Sequence, residues 1–237
     1  MQRKANSQVL IAYEYIRDRI IAYTLMPETA LSDNQIAKEL GMSRAPIREA
    51  LLLLQMDGLV QIHERGKVHV SPISFEDISD ILCIRFGLES EAIRLIARNG
   101  WLSASQEQEL MSLQEEMTHS VNAEDVSRHY EYDDLFHQRL AELSGSPRIQ
   151  DILNRMRLQM QRARWLNIMN PKRLNDATEE HEKLLDAIIA HDEVEAVNML
   201  RVHFKNSEKS FEFVFNNRQM QALALAINSF YSTHRKQ

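Results

Sequence analysis

Along most of the chain from about Phe75 to Asn217, apolar residues recur at i, i+3, i+4 and i+7, the period of amphipathic helices. Breakers and capping residues divide this tract. Helices are predicted from about Phe75 to Arg98 before Asn99-Gly100, from Ser103 to about Ser120, and from about Ala123 to Leu143 before Ser144-Gly145-Ser146-Pro147. Three more follow, roughly Arg148–Asn167, Lys172–Ala190 and Glu193–Asn217. Six or seven helices with short links predict an all-α bundle over residues 75–217. Residues 218–237, with the apolar run Ala222 to Ile227, form a tail or one extra helix.

The first 72 residues have a different pattern. Val9, Tyr13, Ile16 and Ile20 line one face of a first helix, and Ser32-Asp33-Asn34-Gln35 has the form of a capping box opening a second. That helix stops at Gly41-Met42. Ser43 then caps a third, whose first turn tolerates Pro46 because its N–H groups have no intrahelical acceptor. Ile47, Leu51 and Leu54 point to a core, while Arg44 and Arg48 share an outward face at the helix start. Next come two short alternating runs, Leu59 to Ile62 and Lys67 to Val70, around the Gly-containing turn His63 to Gly66, which predicts a small β-hairpin. Ser71-Pro72 ends the pattern and sets a domain boundary there. The fold expected is thus mostly α: an N-terminal winged helix-turn-helix over 1–72, and a helical bundle over 75–217.

Charge qualifies the obvious function. A net charge of −6 argues at first against a nucleic-acid partner, but residues 1–72 hold nine Lys/Arg against eight Asp/Glu, so the acid lies in the remainder. Two cations beside free N–H donors at a helix start suit phosphates and the acceptor edge of guanine. Nothing resembles a signal peptide or a span of about 18 apolar residues, so a cytoplasmic protein without membrane contact is expected. Cys83 is the only cysteine, and its apolar run Ile81 to Ile84 predicts a buried, inert thiol.

Several polar residues occupy positions where periodicity demands apolar ones. Asp133, Phe136, His137, Leu140 and Leu143 form one stripe, His181, Leu184, Leu185 and Ile188 a second, and Ala196, Met199, Leu200, His203 and Phe204 a third. One carboxylate and three imidazoles therefore face an interior, where an unpaired neutral group costs roughly 2–7 kcal/mol. Asp133 and His137, one turn apart, can grip a single ion that His181 and His203 reach from neighbouring helices. Such a donor set suits a divalent Zn, Ni, Mn or Fe ion. His119, His129, His191 and His234 have no such neighbours and are expected at the surface.

The run Ile36-Ala37-Lys38-Glu39-Leu40-Gly41-Met42-Ser43-Arg44-Ala45-Pro46-Ile47-Arg48-Glu49-Ala50-Leu51, followed by Asp57-Gly58-Leu59-Val60, resembles the GntR family of winged helix-turn-helix regulators over residues 9–72. The resemblance implies DNA contacts from Ser43, Arg44 and Arg48, and a wing tip Arg65-Gly66-Lys67 in the minor groove. Three positions depart from the pattern. Ala45 replaces a threonine and Asn34 an arginine, both at places that face DNA in the family, and Glu28 replaces the glycine of a Pro-Gly turn.

Residues 75–217 are similar to the FCD effector domain of the FadR subfamily, through Asp133-Asp134-Leu135-Phe136-His137, then Glu180-His181, then Ala196 to His203. That likeness implies metal ligation by Asp133, His137, His181 and His203 and a cavity for a small organic acid. Arg85, matching a first-helix arginine of that domain, can pair the acid's carboxylate or Glu89 one turn on. Expected partners are a pseudo-palindromic double-stranded operator, the acid, and a second copy of the chain, because one recognition helix with a wing makes too few contacts for specificity. The reading is a ligand-responsive repressor, not an enzyme; the rivals are a repressor sensing metal alone and a metalloenzyme fused to a DNA-binding module.

Overall fold

The computed structural model describes residues 2–164 and 171–217, with side chains from Ser7 onward except that of Pro171. The end expected for the helix begun near Arg148, the segment 218–237 and His234 lie outside these residues. Among the described residues the chain falls into two compact units, residues 2–74 with 158–164, and residues 75–157 with 171–217.

The first unit is built on α1 (Gln2–Ile21), α2 (Asp33–Leu40) and α3 (Arg44–Met56). α2 starts where Ser32 Oγ accepts from the Gln35 N–H, and ends where Gly41, at φ +62°, turns its N–H back onto the carbonyls of Ala37 and Lys38. α3 begins after Ser43 in extended backbone, which makes no side-chain cap bond. Ile16, Ile20, Ile47, Leu54 and Leu59 are fully buried together, so the apolar stripes of α1 and α3 meet as their periodicity requires. The hairpin consists of β2 (Val60–Ile62) and β3 (Val68–Val70), joined by a tight turn in which Arg65 and Gly66 are both left-handed. A two-residue strand β1 (Ala30–Leu31) adds to the other edge of β3 and gives the antiparallel order β1-β3-β2. Two residues carry no alternation, so sequence reading missed it.

The second unit comprises α4 (Phe75–Arg98), α5 (Ala104–Asn122), α6 (Val126–Leu143), the start of α7 (Pro147–Arg164), α8 (Pro171–Ile189) and α9 (Glu193–Phe215). α8 packs on α9 and α5, α4 on α9 and α6, and α5 on α6. The Asp125 side chain accepts from the Arg128 N–H and Asp192 from the Glu195 N–H, fixing the starts of α6 and α9. α6 thus begins three residues later than expected, because Glu124 at φ +56° breaks the backbone between α5 and α6. Cys83 corrects a second expectation: the thiol is exposed. On α4 the inward face is carried by Leu82, Arg85 and Glu89, and the run from Ile81 to Ile84 wraps past it. Among the described residues, no helix is long and apolar enough to cross a membrane.

Candidate metal centre and nucleic-acid interface

The stripes of α6, α8 and α9 converge on one point inside the second unit. Asp133, His137, His181 and His203 are all buried, and each offers a ligand atom within 4.8 Å of the others. His137 Nε2 lies 3.2 Å from His181 Nε2, and Asp133 Oδ1 lies 3.9 Å and 3.6 Å from these two nitrogens. A point about 2.1 Å from all three atoms exists, within the roughly 2.0–2.2 Å typical of Zn–N and Zn–O bonds. Burial pushes the His181 and His203 imidazoles well below their ordinary pKa, with the neighbouring His203 adding to this for His181 and Arg173 for His203. Neutral rings keep a lone pair for a metal at neutral pH. The donor set therefore fits a divalent ion.

Around the cluster runs a second ring of contacts. His137 Nδ1 is 2.6 Å from Glu89 Oε2, and Glu89 Oε1 accepts from Arg85 Nε at 2.9 Å. Burial alone would raise the Glu89 pKa, but Arg85 and then His137 hold its carboxyl below the usual range. His203 Nδ1 is 3.0 Å from Glu180 Oε2, which also lies 2.8 Å from Arg173 Nη1. Asn206 donates to the other Glu180 oxygen at 2.7 Å. Among the described residues, His181 Nδ1 meets a soft neighbour, Met117 Sδ at 3.3 Å. Of these residues Arg85, Glu89 and Glu180 stand out in the sequence, Glu180 through the Glu180-His181 pair; Arg173 and Met117 carry no recognisable signal. Glu180 bonds His203 and not the adjacent His181, since consecutive helical residues point about 100° apart. His129 corrects another expectation: it is buried, one turn before Asp133 on α6, and its spacing to Asp133 and His137 could have revealed this.

A cleft of about 360 Å³, open solvent at its mouth included, adjoins the cluster at His137, with Arg85, Glu89, Gln138, Asn154 and Arg157 in its wall. Arg85 is buried and engaged with Glu89. Arg157 Nε is also buried, with no hydrogen-bond partner among the described residues.

In the first unit, Arg44 and Arg48 lie exposed at the start of α3. Arg44 Nη2 and Arg48 Nε each donate to Asp33 Oδ2 at 2.8 Å. These hydrogen bonds, Arg44's foremost, hold the Asp33 carboxyl below its usual range. Asn34 and Ala45 are exposed nearby, at the starts of α2 and α3, and Ser43 is exposed at the α3 cap. Arg65, Gly66 and Lys67 are exposed at the wing tip.

A helix-turn-helix with a β wing, followed by a separate helical unit with a buried Asp/His₃ cluster, defines a class of two-part DNA-binding regulators. Residues 9–70 match the gntR family of bacterial regulatory proteins and residues 80–206 match the FCD domain, so the chain belongs to the FCD-domain proteins and joins that domain to a gntR-family helix-turn-helix domain. It is 29% identical to the HTH-type transcriptional regulator BphR of Paraburkholderia xenovorans, over 86% of this chain and 85% of that protein. With the gluconate operon transcriptional repressor of Bacillus subtilis it shares 26% identity over 95% and 93%. The fold is that of Escherichia coli McbR/YncC, at a TM-score of 0.71 and 23% identity, over 86% of this chain and 97% of that structure. The chain is a transcriptional regulator.

Proposed function

We propose that this regulator is a homodimeric repressor whose second unit holds one divalent metal ion through Asp133, His137, His181 and His203 and binds a small organic acid beside it. The observation that carries the reading is the convergence of four buried donors from three helices. A bound ion supplies positive charge and open coordination positions for a ligand's oxygens. The pocket wall supplies the rest: Arg157 Nε offers a buried donor to a ligand carboxylate, while Arg85 steadies the wall through Glu89.

For the first unit the proposed contacts are Ser43, Arg44, Arg48, Asn34 and Ala45 at the two helix starts, with Arg65, Gly66 and Lys67 on the wing. Two copies bound to a pseudo-palindrome double these contacts, and two-fold operators mirror two-fold proteins. Residues 1–72 act as the operator-binding part and 75–217 as the sensing part. The test is elemental analysis of chain purified without chelator and offered Zn²⁺, Ni²⁺, Mn²⁺ and Fe²⁺ in turn, paired with binding to DNA selected from a random pool. One ion per chain, lost in His137→Ala together with the response to added organic acids while selected DNA is still bound, is expected. No stoichiometric ion under any condition would mean that the four residues form a hydrogen-bonded core.

A further inference from the structure

Three imidazoles point at one centre, yet their outer nitrogens meet different neighbours. His137 Nδ1 faces a carboxylate oxygen at 2.6 Å and His203 Nδ1 one at 3.0 Å. An ionised carboxylate only accepts, so each Nδ1 must carry the proton and each Nε2 keeps its lone pair. For His203 there is a competitor, since Arg173 Nη2 lies 3.3 Å from the same nitrogen. That guanidinium nitrogen has two hydrogens, with acceptors in Ser207 Oγ at 2.9 Å and the His203 carbonyl at 3.3 Å, which leaves Glu180 as the partner of Nδ1–H. Both carboxylates are themselves fixed. Glu89 is paired with Arg85 one turn away on α4, and Glu180 with Arg173 on α8, all four side chains being buried. The two Arg–Glu pairs balance their own charge, so they orient the rings without adding net charge to the centre.

We propose that Glu89 and Glu180 are positioning residues for metal capture: they lock His137 and His203 in the Nδ1–H tautomer and aim both Nε2 lone pairs at one ion. This rests on the metal reading above. Carboxylates behind ligating imidazoles fix ring orientation and raise ligand basicity, and their loss weakens metal binding by roughly 10–100-fold. His181 lacks such a buttress, because the Met117 thioether is a weak acceptor. It is held instead by packing, its ring stacked on Phe136 at 4.9 Å between centroids.

The experiment uses the full chain. Competition with a chromophoric chelator measures Zn²⁺ affinity for wild type, Glu89→Gln, Glu180→Gln and, as a control, Glu208→Gln, which removes a carboxylate bonded to Ser79 elsewhere in the same unit. Glutamine keeps the size but can offer its amide donor to Nδ1, so the tautomer is no longer enforced. Each of the two test variants is expected to bind Zn²⁺ about 10–100-fold more weakly, and the control to match wild type. Imidazole ¹⁵N spectra of metal-free wild type are expected to show Nδ1–H for His137 and His203, a readout that needs no substitution and that a purely structural ion pair would not set. Wild type that binds Zn²⁺ with test variants of equal affinity, or with either ring as Nε2–H, overturns the positioning role alone. Wild type that binds no ion overturns the metal reading with it.

Discussion

At the scale of single residues, the proposed recognition face is held by one carboxylate oxygen. Asp33 Oδ2 accepts from both Arg44 and Arg48, so the two cations proposed to meet phosphate or guanine are tied here to an acid on the preceding helix. Arg44→Ala and Arg48→Ala are each expected to weaken binding to selected DNA by about 1–3 kcal/mol without changing helix content, measured by fluorescence anisotropy and circular dichroism. Unchanged affinity in both would remove α3 from the interface. Asp33→Ala should act oppositely on DNA of random sequence, strengthening binding by about fivefold or less, since exposed ion pairs are worth roughly 0–1 kcal/mol. Glu28 makes a different point. It stands where the family has glycine, and its backbone adopts φ +66° with its N–H donating to the Val70 carbonyl at 2.9 Å. A side chain is strained there, so Glu28→Gly should stabilise the first unit by about 0.5–1 kcal/mol, net of the extra freedom glycine gives the unfolded chain. A melting temperature equal to or below that of wild type would show that the turn bears no strain.

At the scale of elements, the wing presents two cations on a tight turn. Arg65 and Gly66 are both left-handed, and the strands on either side pair in register from Val60↔Val70 to Ile62↔Val68. Replacing Arg65 and Lys67 together by alanine should lower the slope of log affinity against log salt by about two, because each phosphate neutralised by a cation contributes about 0.9. A slope that does not move would place the wing off the DNA. These elements were legible for a physical reason: the stripes of α1 and α3, the Ser32 cap and the Gly41 stop are local, and local chemistry is written in consecutive residues. The Asp/His₃ stripes were legible too, since each member breaks an otherwise apolar face. What stayed hidden depends on contacts distant in sequence. β1 exists because β3 lies beside it, Arg173 matters because α9 brings His203 to it, and Cys83 is exposed because, among the described residues, the buried face of α4 runs through Ile78, Leu82, Arg85 and Glu89 instead. His129 is legible in the same way, since it lies one turn before Asp133 on the same buried face of α6.

At the scale of the whole molecule, two expectations extend the reading beyond one site. Light scattering at micromolar concentration should give a dimer, and titration two chains per selected DNA; a monomer bound singly would contradict the two-fold assembly. An ion bound as proposed would also support the unit that holds it. The four donors come from α6, α8 and α9, helices that the unfolded chain does not hold together, so an ion favours the folded state by mass action. With free ion at a hundred times its dissociation constant, that linkage is worth about 2.7 kcal/mol. Chelation should therefore lower the melting temperature of the second unit, and restoring Zn²⁺ should return it. The first unit has its own core of Ile16, Ile20, Ile47, Leu54 and Leu59 and contributes no donor to the cluster. Its unfolding should thus be insensitive to chelator, as should its binding to selected DNA in the absence of effector. Calorimetry on the full chain, with and without chelator, separates the outcomes. A shift confined to one of two transitions is the expected result, and a chelator-independent trace would show that the buried cluster stands on hydrogen bonds alone.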